Sequence, residues 1–91
     1  MIGINGIDMN IIESGCLVTF VSPGGLDELR FDFNLSLPMA KIVLEEKGYV
    51  AAIVNDGSHA TVHYYGHDRV NDFVYPFVCL LPLGTLKRVT F

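Results

Sequence analysis

His59, His63 and His67 recur at every fourth position and are the side chains best suited to chemistry. On a helix, two histidines at that spacing share a face and can hold one metal ion. Here they follow a turn signal in the run His59-Ala60-Thr61-Val62-His63-Tyr64-Tyr65, which is β-branched and aromatic and predicts a strand. Four strand residues span about 13 Å, whereas a zinc–nitrogen bond is about 2 Å. Two histidines so placed cannot share one ion, so neither a metal site nor a cofactor is expected. The same spacing puts His59 and His63 beside Thr61 and Tyr65 on a half-exposed strand face. Imidazoles titrate near neutrality and would make contacts there sensitive to pH.

Covalent catalysis needs a nucleophile, a base and an orienting acid. Ser58 adjoins His59 and lies near Asp56, but all three fall in or beside one tight turn, and adjacent strand residues point to opposite faces. No G-x-S-x-G elbow is present. Cys16 and Cys79 sit in apolar runs and read as buried, inert thiols in a reducing compartment, although one pair could form one bridge. Asp68 with His67 and Asp72 would make an acid–base group only if their loop closed over a pocket. Ser22-Pro23-Gly24-Gly25 lacks the Lys-Ser/Thr of a phosphate cradle.

The elements that must position these residues are short and densely punctuated. Asn5-Gly6 is a hairpin signal, followed by a strand through Ile7, Met9 and Ile11. Cys16 to Val21 predicts another strand, and Pro23-Gly25 a hairpin turn after it. Leu29, Phe31, Phe33, Leu35 and Leu37 alternate with Arg30, Asp32, Asn34 and Ser36, the period of a half-buried strand. Ser36 caps and Pro38 opens a helix over about 38–47, with Gly48 as its stop. Met39, Ile42 and Val43 should face the sheet.

Tyr49–Val54 and His59–Tyr65 pair through an Asp56-Gly57 turn, which sets Val54 opposite His59 and Ile53 opposite Ala60. That register gives one face Tyr49, Ala51 and Ile53 with Ala60, Val62 and Tyr64. Gly66-His67-Asp68-Arg69 reads as loop. Phe73–Leu81 is an edge strand or a broken one, because of Pro76. Pro82-Leu83-Gly84-Thr85 is a turn and Leu86–Phe91 a last strand. The sum is a β-rich α+β fold, residues 1–91 forming a single domain: an antiparallel sheet of six to eight short strands with one helix packed on it.

Composition narrows the function classes. The chain has 91 residues, 51% hydrophobic and 18% charged, the balance of a folded domain. The net charge is −4, and the six Lys and Arg are scattered, so no direct nucleic-acid contact is expected. No basic leader precedes an apolar stretch, and the run Phe73–Leu83 is too short for the roughly 20 residues of a membrane span. A cytoplasmic protein with no membrane contact follows as the expectation.

Before residue 30 the chain carries Asp8, Glu13, Asp27 and Glu28 and no Lys or Arg, so the negative charge belongs to one part of it. Tyr49, Tyr64, Tyr65, Phe73, Tyr75 and Phe77 crowd the second half. Tyrosine suits interfaces because it buries area and keeps a polar handle. A positive mean hydropathy in so small a chain leaves apolar surface for a partner or a second copy to cover, with pairing by the C-terminal strand as one route.

The sequence therefore points to a small, acidic, non-enzymatic binding protein acting by protein–protein contact, with a protein partner or as a homodimer. An inhibitor of a host defence enzyme, of the phage or mobile-element type, is the favoured form. Asp27, Glu28, Asp32, His59, Thr61, His63, Tyr65 and Tyr75 are the candidate interface residues. A small enzyme or ligand-binding domain using His59, His63 and Asp68, and a structural subunit of a larger assembly, are the alternatives.

Overall fold

The computed structural model describes residues 11–89, apart from the side chains of Asp68 and Phe73. The predicted Asn5-Gly6 hairpin, most of the strand after it and the last two residues lie outside that range. Among the described residues one antiparallel sheet of five strands runs in the order β4-β3-β2-β1-β5. Its strands are β1 (Leu17–Phe20), β2 (Gly48–Val54), β3 (His59–Asp68), β4 (Phe73–Pro82) and β5 (Leu86–Arg88). Between β1 and β2 the chain crosses one face of the sheet as α1 (Gly25–Asp27), a π-helical turn (Glu28–Asp32) and α2 (Leu37–Glu45). The fold class is α+β as expected, with five strands and two short helices among the described residues where six to eight strands and one helix were expected over the whole chain. No described helix is long and apolar enough to cross a membrane.

The strand expected over Leu29–Leu37, and the hairpin expected at Pro23-Gly25, do not form. Pro23-Gly24 leads into α1 instead, where the Gly25 N–H donates to the Ser22 carbonyl and Glu28 N–H to the Gly24 carbonyl. The Phe33 N–H reaches the Glu28 carbonyl across five residues, and Leu35 N–H reaches the Leu29 carbonyl as the turn unwinds. Asn34 ends it at φ 59°, a left-handed conformation that asparagine tolerates. The alternation of Leu29 to Leu37 does not sort inside from outside, because Leu29 is fully buried while Phe31 is 71% exposed. The physical reason is cover. Both edges of β1 are taken by β2 and β5, and the sheet's inner face needs a helical layer longer than α2 alone.

α2 forms where its signals place it. The Ser36 hydroxyl accepts the Met39 N–H at 3.4 Å, and Pro38 falls in the first turn, where no N–H is missed. Ala40 and Val43 are buried on the sheet, with Ile42 packed partly against it. Gly48 is not the helix stop, since α2 ends at Glu45 and Gly48 begins β2. A Cβ on Gly48 would lie 2.3 Å from Val62 and 2.6 Å from the Tyr64 ring, so glycine is required by close packing.

β2 and β3 pair in the expected register at Val54–His59 and Ile53–Ala60, around Asn55 and Asp56 at φ 54° and 57°. A β-bulge between Val50 and Ala52 then turns the strand over. Tyr49 therefore moves to the outer face opposite His63, and Val50 joins Val62 in the core, the reverse of the sequence expectation. The Ser14 hydroxyl donates to the freed Ala51 carbonyl at 2.9 Å, which satisfies the bulge.

β3 continues through the predicted loop to Asp68, and Pro76 does not break β4, which pairs with β3 without interruption from Pro82 to Phe73. Leu83–Thr85 is a short 3-10 turn, closed by the Thr85 hydroxyl on the Pro82 carbonyl. The core gathers Val18, Phe20, Val50, Val62, Tyr64, Cys79, Leu81 and Leu86 from the sheet beneath Leu29, Ala40 and Val43. Cys16 and Cys79 are both buried and unbridged.

Candidate functional site

Helices cover one face of the sheet, and no described element packs on the other. Alternation along β3 sends Ala60, Val62 and Tyr64 inward and His59, Thr61, His63 and Tyr65 outward. The structure thus brings His59, Thr61 and His63 onto one surface, with Tyr65 at its margin, where the pairing with β2 has ended and Tyr65 also lines a cleft with Ile42, Glu45 and Glu46 of α2. Register adds their neighbours: Tyr49 and Val78 flank His63, Leu80 lies beside Thr61, and Pro76 beside Tyr65. Tyr49, Tyr65, Val74, Val78 and Leu80 are each 48% to 67% exposed, so the outer face is an apolar band ruled with histidines. Tyr49 was assigned inward by its sequence register, and the three β4 residues were missed. Their signal was the alternation Val74, Pro76, Val78, Leu80, masked by the fully apolar run around it.

Tyr75 separates from this group. It faces the helices, against the missing Cβ of Gly66, with its ring 6.1 Å from that of Phe77. It lines a cleft with Pro38, Ile42, His67 and Arg69.

Asp27, Glu28 and Asp32 do come together, on the helical turn that replaced the predicted strand. With Ser22, Pro23 and Gly24 they line a shallow groove beside Phe31. The Ser22 hydroxyl donates to the Glu28 carboxylate. Arg30 holds its guanidinium 5.1 Å from the Phe31 ring centre. Phe31 was read as a core residue, and only the helical path exposes it.

Of the chemical groups, Ser58 does meet His59, with its oxygen 2.7 Å from Nδ1, because Ser58 lies in the turn and not in the strand. The hydroxyl also donates to the Asn55 carbonyl at 2.9 Å. His67 Nε2 lies 3.2 Å from Asp72 Oδ1 across the β3–β4 turn, both side chains open to water.

Burial pushes the Cys79 thiol up from 9.0 to about 11, which keeps it protonated and unreactive at neutral pH. Burial, and next the neighbouring Cys79, push the Tyr64 phenol well above its usual range. No group of three or more metal-ligating side chains exists among the described residues. No known protein family, curated protein or solved structure matches the chain.

Proposed function

We propose that this is a small non-enzymatic binding protein that acts by protein–protein contact through the outer face of its sheet. The observation that supports the proposal is that face itself, where five large apolar side chains on three adjacent strands stand about half exposed or more. Water-exposed apolar area of this kind is ordinarily covered by a partner. Tyr49 and Tyr65 are suited to anchor it, since each buries a ring at small entropic cost and keeps a hydroxyl for the rim. His59, Thr61 and His63 supply polar contacts between the anchors. The Phe31 turn, with Asp27 and Asp32, adds a second contact whose charge favours a basic partner surface. Within this class, an inhibitor that occludes an enzyme is the favoured form.

The test is capture of partners from a host-type lysate by the tagged protein, followed by mass spectrometry, with Tyr49→Lys and Tyr65→Lys variants in parallel. Both positions are exposed, so the variants should fold. A stoichiometric protein held by the parent chain and lost by both variants is the expected result. A partner held equally by all three, or none at all, would refute the outer face as the contact.

A further inference from the structure

β4 is the end strand of the sheet, and among the described residues nothing pairs with its outer edge. The phase of that edge can be fixed. The Leu83 N–H donates to the Ser58 carbonyl at 3.0 Å, one rung beyond the His59–Pro82 pair, and the register runs unbroken to Asp68–Phe73. Antiparallel hydrogen bonds alternate along a strand. Odd-numbered residues of β4 therefore bond to β3, and Val74, Pro76, Val78, Leu80 and Pro82 turn their backbone groups outward. Both prolines fall at outward positions, where a missing N–H breaks no bond of the monomer. That is why a ten-residue strand tolerates two of them. The remaining outward donors are Val74, Val78 and Leu80. No residue of Phe73–Pro82 carries a charge, so the common device of a guarding lysine is absent.

We infer that a second copy of the chain occupies this edge, pairing β4 with β4 antiparallel about a two-fold axis at Val78. In that register each Val78 exchanges both hydrogen bonds with its counterpart. The Leu80 N–H meets the partner's Pro76 carbonyl, and the Val74 N–H meets the partner's Pro82 carbonyl. All six outward donors of the two strands are accepted, and no proline faces a proline. A two-residue slip that sets Val74 against the partner's Leu80 keeps the same six bonds over an equal nine-residue overlap, with the Val78 N–H then meeting the partner's Pro76 carbonyl. Registers opposing Pro76 to Pro76 or to Pro82 lose donors.

The strand is also electrostatically compatible with itself. The nearest histidines across the paired edges are His63 opposite its own counterpart and His59 opposite the partner's His67, each pair three strand spacings or about 14 Å apart, beyond the screening length of about 8–10 Å. The product is one continuous sheet with the apolar bands of both copies side by side. A strand edge buries less than the roughly 800 Å² per partner of a standard interface, so association belongs in the micromolar range. The inference does not depend on what the outer face binds.

Sedimentation equilibrium from micromolar to millimolar concentration, with residue-resolved amide exchange, tests it. A monomer–dimer equilibrium is expected, in which the Val78 and Leu80 amides gain protection with concentration while Phe77 and Cys79 stay protected throughout. Val78→Pro removes the two central donors without touching the β3–β4 ladder and should weaken association about tenfold or more. Val78→Thr keeps the N–H and should associate like the parent. A chain monomeric at millimolar concentration would overturn the inference. So would Val78 and Leu80 protection unchanged by dilution, which would mean that the edge is covered within one chain. If Val78→Pro fails to fold, the exchange data on the parent chain decide. Undiminished association of a folded Val78→Pro would place the dimer on another surface and also overturn it.

Discussion

Replacing Tyr64 by Phe removes one oxygen from the centre of the core. Tyr64 is fully buried, its ring stacked on Phe77 with centroids 5.6 Å apart. Its hydroxyl has no hydrogen-bond partner among the described residues. A buried hydroxyl without a partner costs roughly 1–3 kcal/mol of desolvation. Deleting it recovers that cost, less the dispersion contacts of one atom and a void smaller than a methyl group, up to about 1 kcal/mol. The expected net gain for Tyr64→Phe is about 1 kcal/mol. For a domain of this length that raises Tm by about 4–8 °C.

Urea unfolding followed by far-UV circular dichroism measures the gain, since the chain has no Trp to report it. The midpoint should rise at unchanged slope. The alkaline limb gives a second readout. Burial raises the phenol above its ordinary value of 10.0, so the unfolded chain releases this proton first. The parent's extra stability is intact below pH 10 and falls as pH climbs above it, and in Tyr64→Phe that part of the decline disappears. A loss of 1 kcal/mol or more on Tyr64→Phe would refute the reasoning, because it would show that the hydroxyl is satisfied in solution.

Gly48→Ala forces a methyl against Val62 and the Tyr64 ring, and should cost about 1–3 kcal/mol in urea unfolding. Asn34→Ala, at φ 59°, should destabilise by about 1 kcal/mol relative to Asn34→Gly; equal stability of the two would argue for the extended path instead. Cys79 should resist alkylation under native conditions at neutral pH and react only on unfolding. With its thiol raised to about 11, stability should also decline as pH rises from 9 towards 11. Asp27→Lys with Asp32→Lys should leave stability within about 0.5 kcal/mol, both being exposed, while weakening capture of a basic partner.

Local signals in the sequence settled the elements whose chemistry is local. Ser36 and Pro38 start a helix because capping needs only the four residues around it. The Asn55-Asp56-Gly57-Ser58 loop sets the β2–β3 register because a four-residue turn with three positive-φ residues leaves little freedom. The candidate site divides along the same line. His59, Thr61, His63 and Tyr65 share a face by alternation alone, and that was legible. Leu29–Leu37 was misread because a period of two records only which residues are apolar. The vacancy it fills is the uncovered inner face between β1 and β2, and no local pattern reports a vacancy.

By itself, then, the sequence determined an acidic α+β domain with a central hairpin, one capped helix, buried thiols and a histidine-ruled strand face. Only the tertiary structure decided that the Val50–Ala52 bulge carries Tyr49 outward, that Phe31 projects among carboxylates, and that Tyr75 turns to the helices. It also decided that both prolines of β4 point to an edge with which no described residue pairs. Each of these depends on which strand lies beside which. Strand neighbours are chosen by burial summed over the whole chain, a long-range quantity that no short window of residues contains.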